Sequence, residues 1–226
     1  TSKFKTRQMA VYFKEKKNDG IIMPKEFSQG QLHNIKYQED AILKGIEIIK
    51  KHQGVIIADV VGLGKSIIGS AIAKNLGLTT IIICPPHLEE IWKDYMNLAQ
   101  IPSNVVSRGR IPEAFKFLKK DREHLIIIDE AHVFRNDLTT DYTNLHKLCK
   151  NNKVILLSAT PYNNKPQDTF NMIKLFQIPT KTSIQTIENL SEEFKLLITE
   201  YRKLKNFNPD QPKDKIKIRE AKNKIS

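Results

Sequence analysis

The sequence predicts an α/β fold in which a mostly parallel sheet is covered by helices on both faces, and three observations predict it. Short β-branched runs alternate with amphipathic segments through the middle of the chain, the pattern of strands joined by helical crossovers. The runs are almost wholly apolar, without polar alternation, as suits strands buried on both faces. Finally, Gly64-Lys65-Ser66 and Asp129-Glu130 each follow such a run, where an open parallel sheet binds its ligands.

Taken in order, residues 1–30 read as a linker or edge segment, with a short helical candidate at Arg7–Lys17 and a turn at Asn18-Asp19-Gly20. Tyr37–His52 reads as a helix and Gly54–Ala58 as the first strand. Ser66–Leu76 is the next helix, with Gly77 as its C-terminal cap. Thr79–Cys84 is a strand ended by Pro85-Pro86, and His87–Ala99 a helix. Asn104–Ser107, Leu125–Ile128 and Lys153–Leu157 complete the strands, while Ile111–Lys120, Tyr142–Asn151 and Lys165–Phe176 complete the helices of the middle region, residues 31–180. In the basic extension, residues 181–226, Leu190–Leu204 reads as an exposed amphipathic helix; the lysine-rich stretch from Asn206, with two prolines, is expected to be mobile.

Composition narrows the class. A chain of 226 residues with 40% hydrophobic content buries one substantial core without disulfides. Its two cysteines, Cys84 and Cys149, form no C-x-x-C pair, so a reducing compartment is expected and a zinc site is not. No apolar run approaches the roughly 18 residues of a membrane span, and the start lacks the apolar stretch of a signal peptide. The expectation is a soluble cytoplasmic protein, nucleoid-associated if bacterial. The net charge is +12, and residues 1–30, 31–180 and 181–226 each contribute +4. The flanks are therefore the more basic per residue. A polyanion such as nucleic acid suits this balance; ordinary solubilising surface suits it as often.

The two strand-end segments carry the chemistry. In Ala58-Asp-Val-Val-Gly-Leu-Gly-Lys-Ser66 the backbone N–H groups of Gly62, Leu63, Gly64, Lys65 and Ser66 can close on phosphate, Lys65 adds charge, and the Ser66 hydroxyl can bind Mg²⁺. A strict P-loop has glycine where this chain has Asp59; the competing reading is a tight strand-to-helix turn without ligand. Asp129 can hold the metal, and Glu130 can orient and deprotonate a water aimed at a γ-phosphate. Together they predict a nucleoside triphosphate and Mg²⁺ as cofactors. Trp92, within a helical segment beside Ile91 and Tyr95, reads as a packing residue rather than a base-stacking one.

The order of these motifs resembles the N-terminal RecA-like lobe of a superfamily 2 helicase or translocase, most closely the Swi/Snf-related group and its bacterial relatives, over about residues 32–179. Ala58 to Ser66 resembles motif I of that group, where Asp commonly replaces the first P-loop glycine; Val60-Val61 departs from the usual acidic-then-Met pair. Ile81 to Trp92 resembles motif Ia, which implies that Pro85, Pro86 and His87 touch a nucleic-acid backbone. Asp129-Glu130-Ala131-His132 is motif II, and Leu156 to Pro161 resembles motif III, which implies that His132, Ser158, Ala159 and Thr160 couple the nucleotide to the nucleic-acid groove.

Ile35 to Asp40 resembles the segment whose glutamine reads adenine, which assigns Gln38, 27 positions before Lys65. A surface helix glutamine is the competing reading. Arg108 and Arg110 lie where the group has a further nucleic-acid-contacting loop. The fold implied is a RecA-like P-loop three-layer sandwich, and the nucleotide implied is ATP. The activity implied is ATP hydrolysis that drives a translocase on duplex DNA; a strand-separating DNA or RNA helicase and a nucleotide-gated, non-enzymatic module are the alternatives. In the group a second RecA-like lobe of the same polypeptide completes the site, so the chain is expected to be a fragment that hydrolyses ATP poorly alone.

Overall fold

The computed structural model describes residues 20–58, 64–159, 165–183 and 189–205. Its elements run α1 (Pro24–Phe27), α2 (Lys36–His52), β1 (Gly54–Ala58), α3 (Lys65–Leu76), β2 (Thr80–Cys84), α4 (Glu89–Leu98) and β3 (Ser103–Ser107). They continue as α5 (Ile111–Ala114), β4 (Leu125–Ile128), α6 (Thr140–Cys149), β5 (Lys153–Ser158), α7 (Pro166–Ile173) and α8 (Leu190–Lys205). The α/β expectation holds: among the described residues five strands form one parallel sheet in the order β1-β5-β4-β2-β3.

Because successive side chains of a strand point to opposite faces, the apolar runs build two cores. Val55, Ile57, Ile82, Cys84, Ile127, Ile155 and Leu157 face α2, α3 and α4, where they meet Ile46, Ile72 and Trp92. Ile81, Ile83, Ile126, Ile128, Val154 and Leu156 face α6 and α7, where they meet Leu145, Leu148 and Met172. Three layers result, with β4 as the middle strand. Ile126, Ile127, Ile128, Ile155 and Leu156 are wholly buried, which explains why these strands carry no polar alternation.

Register sets the position of each strand end. Ala58 lies beside Ser158, Leu156 beside both Ile56 and Ile128, and Ile83 beside Ile128. With all strands parallel, the residues after β1, β2, β4 and β5 emerge at one edge of the sheet. That edge carries the site.

Several boundaries differ from the sequence expectation, each for a tertiary reason. The core begins before residue 31, because Met23 and Phe27 are buried in it and the Asn75 side chain bonds both the N–H and the carbonyl of Ile22, each at 2.8 Å. The helix expected over Ile111–Lys120 stops at Ala114, followed by a 3-10 turn at Phe115–Phe117. There the Lys119 N–H donates to His124 Nε2 at 3.3 Å, folding the chain back into β4. α7 ends at Ile173 rather than Phe176, since Phe176 leaves the helix to cover Gly54, where an added Cβ would come within 2.3 Å of its ring. α8 matches its expected span and joins the fold through Phe194, stacked on Phe170 at 4.8 Å between centroids. The helix expected at Arg7–Lys17 and the tail from Asn206 lie outside the described residues.

Candidate functional site

The site begins where β1 gives way to α3. Asp59, Val60, Val61, Gly62 and Leu63 lie outside the described residues, so the cradle is described from Gly64 onward. Gly64 is the N-cap of α3 with φ +81°, a left-handed conformation that glycine adopts without steric cost. A Cβ there would also stand 2.5 Å from Gln38 Nε2. Two independent constraints therefore require glycine.

Lys65 and Ser66 open α3 and are half-buried. The first turn of a helix has unbonded N–H groups and the positive end of the helix dipole, a standing attraction for phosphate. Gln38, in the first turn of α2, is 3% exposed, and its Nε2 donates to Tyr37 Oη at 3.1 Å. Its carboxamide lies against the Gly64 backbone rather than on the surface.

The carboxylates stand two strands away. β5 alone separates β1 from β4, so at about 4.8 Å per strand the two strand ends lie roughly 10 Å apart. A triphosphate with its metal spans such a gap. Asp129 follows β4 directly, is 6% exposed, and donates its N–H to the Ile83 carbonyl at 2.8 Å. Its Oδ1 accepts from the Glu130 N–H at 2.8 Å and its Oδ2 from the Trp92 indole N–H at 2.9 Å. Trp92 is wholly buried; the packing expectation for it holds, but its polar end has a task that the sequence reading missed.

Glu130 turns the chain sharply, with φ +51°, and caps the 3-10 turn at Ala131–Phe134. His132 Nδ1 lies 3.2 Å from Glu130 Oε2 and 3.5 Å from Ser158 Oγ. The imidazole thus touches both the carboxylate after β4 and the hydroxyl that ends β5. Ala159 follows, half-buried; Thr160 lies outside the described residues.

These oxygens fit Mg²⁺. Mg²⁺ takes one or two protein oxygens and the rest of its shell from phosphate and water; among the described residues no cluster of three or more His, Cys, Asp or Glu could hold a metal. Asp129 and Ser66 are the candidate donors. Cys84, at the end of β2, is not one: burial, then the Asp129 and Glu89 charges, push its thiol up to about 12, so it stays protonated and unreactive.

The expected nucleic-acid residues sit further along the same edge. Pro85 is buried, while Pro86 and His87 are exposed on the 3-10 turn leading into α4. Arg108 and Arg110 lie on an exposed turn after β3. Arg110 Nη2 reaches both oxygens of Glu89 at 3.2 Å, and its Nη1 lies 3.7 Å from Glu113. Part of its charge is thereby committed within the chain.

Comparison with known proteins agrees with the motifs. The SNF2-related domain family matches over residues 100–207, a span that contains Asp129, Glu130, His132 and Ser158. An uncharacterized ATP-dependent helicase of Mycoplasma pneumoniae is 28% identical over 163 residues, which is 58% of this chain and 16% of that protein. The uncharacterized ATP-dependent helicase YqhH of Bacillus subtilis is 29% identical over 155 residues, 58% of this chain and 28% of that one.

Among solved structures, the SWI2/SNF2 ATPase core of Sulfolobus solfataricus in complex with dsDNA matches with a TM-score of 0.58 and 20% identity. It covers 76% of this chain and 44% of the other. That likeness shares the fold. The chain spans less than a third of each of the two helicases. Among the described residues no helix is long and apolar enough to cross a membrane.

Proposed function

We propose that this chain, SNF2-related over residues 100–207, is the ATP-binding lobe of a nucleic-acid-dependent motor, a double-stranded DNA translocase of the Swi/Snf type. The observation that carries this reading is that Gly64-Lys65-Ser66 and Asp129-Glu130 stand at one edge of one parallel sheet, with a single strand between them. Lys65 and the N–H groups of Gly62 to Ser66 hold the phosphates. Ser66 and Asp129 hold Mg²⁺, which neutralises charge on the transferred phosphoryl group. Glu130 takes the proton from the attacking water. Gln38, already against Gly64, meets the adenine edge with one donor and one acceptor.

His132 and Ser158 pass the state of the nucleotide toward the next strand end, because any movement of Glu130 must rearrange the imidazole that touches both. Thr160 and Ala159 continue that path toward the nucleic acid, with Pro85, Pro86, His87 and Arg108 as backbone contacts and Arg110 as one that must first loosen from Glu89. Residues 31–180, with the added packing of Met23 and Phe27, form the lobe; residues 181–226 are a basic extension that contains α8. A second RecA-like lobe supplies the arginines that complete the transition-state cage, a contribution worth about 10³–10⁵ in rate in other NTPases. Relatives named as ATP-dependent helicases and a likeness to a core solved with dsDNA support duplex DNA as the track.

The test uses the intact polypeptide that contains this lobe. It is expected to strip a third strand from a DNA triplex with ATP while leaving a tailed duplex paired. Separation of the tailed duplex would favour a strand-separating helicase instead. ATP binding without turnover on any nucleic acid would favour a nucleotide-gated module.

A further inference from the structure

Asp129 is held by a side chain from another helix. Its carboxylate offers about four acceptor positions, of which the Glu130 N–H occupies one on Oδ1 and the Trp92 indole N–H one on Oδ2. The indole N–H can only donate. Its bond to a carboxylate is charge-assisted, shorter and stronger than one to a neutral carbonyl. The two bonds, one to each oxygen, fix both the position and the plane of the carboxyl group.

The indole ring is itself seated by the phosphate-binding helix. Trp92 is wholly buried. A Cβ added to Gly69, in the second turn of α3, would meet Trp92 Cη2 at 3.3 Å and Leu157 Cδ1 at 3.5 Å. Gly69 therefore leaves the space that the six-membered ring fills, while the pyrrole end reaches Asp129. One rigid side chain thus connects the helix that starts at Lys65 with the carboxylate that follows β4.

From this geometry we infer that Trp92 is a positioning residue for the metal-nucleotide site: it sets the Asp129 carboxylate for Mg²⁺ and transmits shifts of α3 to it. The inference rests on the nucleotide reading proposed above. Outer contacts of this kind change metal affinity or activity by about 10–100-fold when removed. Trp92 is also the only tryptophan of the chain, so its fluorescence gives a readout independent of turnover. A divalent cation placed on the carboxylate changes the electric field at the indole N–H.

The experiment titrates Mg²⁺ into the 226-residue chain saturated with ATP, following tryptophan emission, and measures ATP affinity by calorimetry with Mg²⁺ and with EDTA. The emission of the native protein is expected to change with Mg²⁺ and to return on adding EDTA. Trp92→Phe keeps an aromatic ring but removes the donor; calorimetry is expected to need about tenfold or more Mg²⁺ for half-saturation, with ATP affinity in EDTA unchanged. Gly69→Ala keeps the indole and pushes the ring, and is expected to raise the Mg²⁺ requirement in the same direction, by less.

Emission indifferent to Mg²⁺ in ATP-bound protein, or a wild-type Mg²⁺ requirement in Trp92→Phe, would overturn the inference while leaving the nucleotide reading intact. Should Trp92→Phe fail to fold, the native titration and Gly69→Ala decide alone. No ATP binding by the native chain under any condition would overturn the nucleotide reading itself, and this inference with it.

Discussion

Glu130→Gln in the intact polypeptide is expected to lower ATP turnover by about 10²–10⁴-fold, the range for losing a general base, while ATP still binds. The carboxamide has the size of the carboxylate but accepts no proton from water. The backbone is not the cause of the loss, because Glu130 already sits at φ +51° and glutamine meets the same steric limits there. His132 Nδ1, now 3.2 Å from the carboxylate, keeps an oxygen to bond. Steady-state phosphate release together with nucleotide affinity checks the pair of effects. Turnover near the native rate would remove Glu130 from the role of base; loss of ATP binding as well would make its role structural.

Ile127→Ala is expected to destabilise the fold by about 2–5 kcal/mol, the usual range for truncating a buried isoleucine with partial collapse of the cavity. Ile127 is wholly buried in the middle strand, between Ile82 of β2 and Ile155 of β5, on the face covered by α2, α3 and α4. Set against a total stability of about 5–15 kcal/mol for a domain, that loss removes a large part of the margin that keeps the chain folded. The midpoint of urea unfolding, with the slope held constant, measures it. A cost under about 1 kcal/mol would mean that the sheet closes over the gap more easily than its packing suggests.

The strands were legible because burial on both faces leaves an unbroken apolar run, and each expected strand lies within a residue of the observed one. Their spatial order was not, since pairing β5 between β1 and β4 joins segments about a hundred residues apart and leaves no local trace. Helix ends failed where tertiary contacts decide them: Lys119 turning back to His124, and Phe176 leaving α7 for Gly54.

The site divides in the same way. The placement of Gly64, Lys65 and the Asp129-Glu130 pair at strand ends was legible from residue type, and Gln38 was singled out for its proposed role by a resemblance. The Trp92 bond to Asp129 spans 37 positions and depends on the pleat. Asp129, two residues beyond Ile127, points to the same face, where α4 packs. Nothing in the spacing of Trp92 announces that. The commitment of Arg110 to Glu89 was hidden likewise, because 21 positions separate the two.

The proposed function has the edge that holds Lys65, Asp129 and Glu130 hydrolyse ATP under the control of nucleic acid. ATP turnover by the intact polypeptide, measured with and without duplex DNA at constant Mg²⁺ and salt, tests it most directly. The expected rate is low without DNA, rises severalfold or more with duplex, and falls as added salt weakens phosphate contacts. A rate indifferent to duplex DNA, single-stranded DNA and RNA alike would contradict it.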